Sequence, residues 1–189
     1  VGYWYVIMGI DDKGRWFTLD YAYAWEDQAV IDAWNREYHG IMPMAGIIDE
    51  GGHRKADVDH LISQLGTGFY KYKGETSRNR EKYRVSENDP LLILAPARRY
   101  NAKFLYLIYS QHKTNNNYWY IACDLKKTLI HQIVSFQPPA DDHEADFEDW
   151  TPYDRQHDLF DAHKMALFLH DFACEEFPYN FWRRRNSEQ

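Results

Sequence analysis

Hydrophobic and polar positions along the chain change period several times, and each change predicts an element. Phe17, Leu19, Tyr21, Tyr23 and Trp25 alternate with Thr18, Asp20, Ala22 and Ala24, the period of a half-buried strand. Tyr3–Ile10 is rich in aromatic and β-branched residues, and Asp11-Asp12-Lys13-Gly14 supplies the turn of a hairpin. The period lengthens after Glu26-Asp27. Val30, Ile31, Trp34 and Tyr38 fall at helical spacing up to Gly40, with acids at the positive end of the helix dipole. An apolar strand is expected over Ile41–Ile48, a helix over Arg54–Leu65 and a short strand over Phe69–Lys73 ended by Gly74. Glu75–Asn88 lacks a period and reads as a loop, followed by the apolar run Leu91–Leu94. Phe104–Tyr109 and Tyr118–Ala122 read as strands, Leu125–Ile133 as a short helix, and Gln137–Pro152 as a loop. Arg155–Phe172 is the last strong helix, before a basic tail at Trp182. Strand–helix–strand order favours a mixed α/β sheet covered on both faces.

Composition narrows the class. The chain has 189 residues, 44% hydrophobic and 17% aromatic, which suits one domain with a real core and excludes disorder. No run approaches the roughly 20 apolar residues of a membrane span, and no leader is evident. Cys123 and Cys174 sit in apolar sequence without a CxxC partner, which suits a reducing compartment and not a zinc site.

Charge matters through its distribution. The net charge is −7, yet residues 71–84 gather Lys71, Lys73, Arg78, Arg80, Lys82 and Arg84 against Glu75 and Glu81. Residues 141–149 hold six acids, Asp141, Asp142, Glu144, Asp146, Glu148 and Asp149, and no Lys or Arg. The basic segment can track a phosphate backbone or be a solvated loop.

The strongest candidate chemistry is the acid ending the run Ala45-Gly46-Ile47-Ile48-Asp49, followed by Glu50-Gly51-Gly52-His53. A carboxylate leaving a buried strand beside glycines is a divalent-metal ligand geometry, and it is equally a turn. Asp154, Asp158 and Asp161 form one stripe on the last helix, beside an inward stripe of Leu159, Ala162, Ala166, Leu169 and Ala173. The alternative for Asp154 and Asp158 is compensation of the helix dipole. His157 and Asp161 stand at i, i+4, but no HExxH occurs, and scattered surface histidines explain the rest.

Taken together, the hairpin Gly2–Trp25, the helix Glu26–His39, the strand ending Ile47-Ile48-Asp49-Glu50-Gly51-Gly52, the strand Phe69-Tyr70-Lys71-Tyr72-Lys73-Gly74 and the motif His157-Asp158-Leu159-Phe160-Asp161-Ala162 resemble the nuclease domain of tailed-bacteriophage terminase large subunits. The resemblance implies an RNase H-like α/β fold, a mixed sheet flanked by helices on both faces, as a single nuclease domain over residues 1–189. It implies a metal-dependent endonuclease that cuts concatemeric DNA with little sequence preference, using two Mg²⁺ or Mn²⁺ ions. Asp49 matches the acid ending the fourth strand of that fold. The third acid corresponds to Asp161 or Asp158, with Asp161 preferred. Lys73 matches a lysine of such sequences, either a phosphate contact or a solvent-facing strand lysine, and the charge of Arg78, Arg80, Lys82 and Arg84 makes them the expected contacts to double-stranded DNA. The implied partners are the terminase ATPase domain, the small terminase subunit and the portal, in the host cytoplasm and with no membrane. One departure stands out. The family's first acid lies on a strand before the hairpin, and only two strands precede the first helix here. This chain is expected to begin after that strand, with Asp11 or Asp12 as stand-ins although they read better as a turn. No Gly-x4-Gly-Lys-Ser/Thr loop occurs, so the motor half is absent. A catalytically incomplete module that guides or docks DNA is the competing expectation.

Overall fold

A computed structural model describes residues 2–51, 54–75, 82–114, 119–121, 126–142, 144–153 and 157–176. These residues form a mixed α/β structure. Strands β1 (Tyr3–Ile10) and β2 (Trp16–Ala24) make the expected antiparallel hairpin, and β7 (Trp119–Tyr120) adds in parallel to β2. A second sheet has the order β3 (Gly46–Asp49), β4 (Phe69–Glu75), β6 (Leu92–Pro96) and β5 (Arg84–Val85). Its first three strands are parallel and β5 is antiparallel. Strands β8 (Phe136–Gln137) and β9 (Thr151–Pro152) form a small separate pair.

Helices cover the four-stranded sheet on both faces. Helix α2 (Lys55–Leu65) buries Val58, Leu61, Ile62 and Leu65, the i, i+3, i+4, i+7 stripe, against Ile48 and Phe69. Helix α1 (Asp27–Trp34) joins that cluster through Val30 and Trp34. On the opposite face, α3 (Ala97–Thr114), α4 (Lys126–Val134) and α5 (Asp158–Glu176) pack Tyr100, Phe104, Leu129, Phe160, Leu167 and Phe168 around Tyr72 and Ile93. The first residue of β3 is glycine for a steric reason: a Cβ at position 46 would stand 2.1 Å from the buried Phe69 ring.

Several expectations change. Phe104–Tyr109 lies inside α3 and is not a strand. Phe104 and Leu105 are fully buried while Tyr106 is 61% exposed, a helical face that a short continuous aromatic run disguises as a strand. The strand expected over Ile41–Ile48 is confined to its end, because Ile41 is exposed and Pro43 has no N–H to give a ladder. Helix α1 stops at Trp34, before Gly40; His39 and Gly40 have positive φ and turn the chain into the Tyr38–Ile41 bridge. Two expected loops hold short strands, β5 and the β8–β9 pair. Cys174 is exposed, 3.6 Å from His170 Nε2, because it falls on the outer side of α5; Cys123 lies outside the described residues.

Candidate functional site

A cavity of about 860 Å³ separates the two larger sheets. Its walls come from β1, β3, α1 and α5, and three of the anticipated acids, Asp49, Asp158 and Asp161, line it. Native interiors hold few voids larger than one water, so an opening of this size is a feature to explain.

The acids reach it by different routes. Asp49 is the last residue of β3 and pairs in register with Tyr72 of β4. Paired residues on parallel strands share a face, so both side chains point toward α5. The Gly51 N–H donates to Asp49 Oδ1 at 3.0 Å, the turn geometry that the glycines permit. Asp158 and Asp161 occupy the first turn of α5. Tyr72 links the two elements. Its side chain is 3% exposed, and its hydroxyl has no hydrogen-bond partner among the described residues. Burial raises its pKa well beyond the usual phenol range, and the Asp161 and Asp49 charges raise it further. The hydroxyl therefore keeps its proton and lies within the field of both carboxylates.

Asp161 already has cationic company. The ammonium of Lys164, a buried residue, donates to Asp161 Oδ1, and His157 Nε2 stands 3.5 Å from its other oxygen. Among the described residues no three His, Cys, Asp or Glu side chains are arranged to hold a metal ion. Hard divalent cations want at least six oxygen ligands, a good part of them charged. Asp49, Asp158 and Asp161 alone thus make an incomplete ligand set. His53 and Gly52 lie outside the described residues, as does Asp154, the first acid of the expected stripe.

The proposed stand-ins for a first acid do not join this group. Asp11 lines the cavity but caps the hairpin turn, accepting N–H bonds from Lys13 and Arg15 and the Arg15 guanidinium at 2.6 Å. The Arg15 hydrogen bond holds the Asp11 carboxyl below its ordinary range. Trp16, paired with Ile10, meets His170, so this turn sits about 14 Å along α5 from Asp161 at 1.5 Å per residue. Asp12 is exposed in the turn.

The basic segment divides. Lys71 is buried and bonded to Asp59 and, at 2.6 Å, to Asp89 Oδ2; its charge is spent inside the protein. Lys73 follows Tyr72 on β4 and so projects from the opposite face to Asp49. Arg84 pairs with Glu75 at 3.0 Å, and Lys82 is exposed. Arg78 and Arg80 lie outside the described residues. Compared with known proteins, the chain matches no family model, no curated protein and no solved structure.

Two participants escaped the sequence. Tyr72 reads there only as one tyrosine in an alternating strand, and Lys164 only as a helix cation. The spacing Asp161–Lys164 is i, i+3, which signals an ion pair once the helix is placed.

Proposed function

We propose that this chain carries part of the centre of a metal-dependent DNA endonuclease with an RNase H-like fold, of the kind found in viral genome-packaging terminases. One observation carries the reading: Asp49 and the pair Asp158 and Asp161, remote in sequence, line one cavity, at the end of the edge strand β3 and on the first turn of a helix packed against it. The order of hairpin, helix, acid-ended strand, helix and parallel strand agrees with it. The reading requires oxygen ligands beyond these three acids, and release of Asp161 from Lys164. Mg²⁺ or Mn²⁺ bound there would supply charge neutralisation at a phosphodiester. Double-stranded DNA would be the substrate, and an ATPase motor, a small subunit and a portal the assembly that presents it. Low basic charge is tolerable in such an assembly, because tethering raises effective concentration without new contacts.

The competing reading, a DNA-guiding or docking module without catalysis, is favoured by the Lys164–Asp161 pair, which neutralises one candidate ligand. Mn²⁺ titration by calorimetry, with plasmid nicking, separates the two. The nuclease reading expects Mn²⁺ binding that Asp49→Asn abolishes, and nicking that falls by orders of magnitude while the circular-dichroism spectrum is unchanged. Nicking by the parent that survives Asp49→Asn would refute the site. Absence of both binding and nicking would favour the docking module.

A further inference from the structure

Two buried hydrogen-bond donors lie short of acceptors beside the acids of the cavity. Lys164 is one. Its side chain is 8% exposed, and Asp161 is the one acceptor its ammonium finds among the described residues. An ammonium carries three donors, so two are left over in a place nearly closed to water. The Tyr72 hydroxyl is the other, buried and without a partner among the described residues. Donors orphaned at such depth are costly, and an acceptor there is favoured.

Strand and helix spacing bring the two together. Tyr70 meets Phe172 and Tyr72 meets Phe168, with ring centres 5.2 and 5.5 Å apart, so β4 runs against α5. Two strand residues advance about 6.6 Å and four helix residues about 6 Å, which sets Gly74 at the level of Lys164. A Cβ at Gly74 would stand 3.5 Å from the Tyr72 hydroxyl, which therefore leans along the strand toward that level. Helical side chains point back toward the N-terminus, and Lys164 does so to reach Asp161. Asp161 is the common neighbour. It accepts from Lys164, and after burial its charge is the largest influence on the Tyr72 hydroxyl.

The surroundings suit an anion. Glycine at 74 leaves the strand bare at the level of Lys164. Ala97, the first residue of α3, abuts it, with its Cβ 3.1 Å from where a Gly74 Cβ would stand. The first turn of α3 has no acid and carries Arg98 and Arg99. Cations at that end add to the positive potential of the helix dipole; Asp149, 3.8 Å from Arg98, offsets part of it. The opposing effect is the charge of Asp49, Asp158 and Asp161. Three carboxylates outweigh one buried ammonium and repel a bare anion, so an oxyanion enters only together with a divalent cation at those acids. A phosphodiester accompanied by Mg²⁺ or Mn²⁺ meets both demands.

We propose that Lys164 and Tyr72 form the oxyanion subsite of the nuclease centre, donating to a non-bridging oxygen of the substrate phosphate. The inference rests on the nuclease reading. Lys164 leaves Asp161 when that carboxylate turns to the cation, and its ammonium passes to the phosphate oxygen. The ion pair that withholds Asp161 is thereby converted into a positioned donor where negative charge develops.

Calorimetry with Mg²⁺, and phosphorus NMR line broadening of inorganic phosphate at saturating Mg²⁺, separate the roles. The parent should bind both. Lys164→Met removes the competitor for Asp161, so Mg²⁺ should bind more tightly whatever else Lys164 does. Phosphate affinity of the loaded chain should nevertheless fall, by about tenfold or more, because a charge-assisted hydrogen bond is lost. Opposite signs for the two ligands are the signature. A lysine that only neutralises Asp161 would leave phosphate binding unchanged or tighter. Tyr72→Phe should leave Mg²⁺ affinity unchanged and weaken phosphate by about three- to tenfold. Unchanged phosphate affinity in either variant overturns the subsite, as does a loss of Mg²⁺ affinity in Tyr72→Phe that accounts for the phosphate loss. A parent that binds Mg²⁺ and no phosphate also overturns it, while leaving the metal centre standing. A parent that binds no Mg²⁺ refutes the nuclease reading, and the subsite with it.

Discussion

Asp49 and Tyr72 stand side by side on adjacent parallel strands, with the tyrosine hydroxyl buried and the aspartate at the cavity wall. The hydroxyl sits within the influence of two carboxylates yet bonds none of the described residues. An unsatisfied buried hydroxyl costs about 1–3 kcal/mol. Tyr72→Phe should therefore leave stability unchanged or raise it by up to about 1 kcal/mol, measured by urea unfolding. In the same variant Mn²⁺ affinity should fall if the hydroxyl supports a ligand at Asp49 and Asp161, and stay fixed if it does not. A loss of stability would reveal a partner for the hydroxyl.

His163 should set an acid limit on the fold. It is fully buried between the Phe104 and Trp119 rings. The Leu159 carbonyl only accepts, so Nδ1 carries the proton, 2.7 Å away, and Nε2 accepts from the Thr18 hydroxyl. Burial pushes its pKa down to about 4, against an opposing pull from the Leu159 carbonyl. The unfolded chain takes up this proton at a higher pH than the folded one. Stability is therefore complete above about 6.5 and is lost as pH falls toward 4, by on the order of 3 kcal/mol. His163→Gln keeps a polar side chain without titrating there. Its unfolding free energy should be flatter between pH 6.5 and 4; an unchanged slope would place the acid limit elsewhere.

The sequence carried the element order from β1 to β4 and α5 because those segments have clean periods and clear breakers. It misread Phe104–Tyr109, where six apolar or aromatic residues in a row hide the phase that separates strand from helix. Asp49 was legible as an acid ending a buried run, and Asp161 as an acid on a helix. Their shared cavity was not, since it depends on how α5 crosses β3. The fate of Lys71 was equally hidden. Beside Lys73 it looks like half of a basic pair, but strand alternation sends it inward to Asp59 and Asp89, residues far along the chain.

That inward lysine should be a stability residue. Burial works against the Lys71 charge, but hydrogen bonds with Asp59 and Asp89 outweigh it and hold its pKa above the ordinary value. Asp89, in turn, is held below the usual carboxylate range by its hydrogen bond from Lys71. Lys71→Met should cost about 1–3 kcal/mol, because the half-buried carboxylates lose their counter-ion while part of the cluster remains solvated. Asp89 contributes stability above its unfolded pKa that disappears as pH falls through its lower folded value, so the cost of Lys71→Met should shrink in strong acid. DNA affinity should not change in this variant. A weakened DNA complex with intact stability would return Lys71 to the binding surface.

The asymmetry between Lys71 and the basic residues beyond β4 sharpens the expectation for DNA. Lys71 is consumed by internal carboxylates and Arg84 is partly neutralised by Glu75, whereas Lys82 is exposed. Side chains that neutralise phosphates release counterions, so binding weakens with salt, with a slope of about 0.9 per phosphate neutralised. Replacing Arg78, Arg80, Lys82 and Arg84 together by Gln should weaken binding to every duplex sequence and flatten the salt slope. The flattening should reach at most about 0.9 for each phosphate left without its cation, and less for Arg84 because Glu75 competes for it. Lys73 provides the contrast. It leaves β4 on the face opposite Asp49, so Lys73→Gln should leave both Mn²⁺ binding and the salt slope unchanged if DNA is held over the acidic cavity. Fluorescence anisotropy of a labelled duplex across a salt series measures all of these. An unchanged slope in the fourfold variant would mean the loop is a solvated connection, while a slope that falls in Lys73→Gln would place DNA across the α2 face of the sheet.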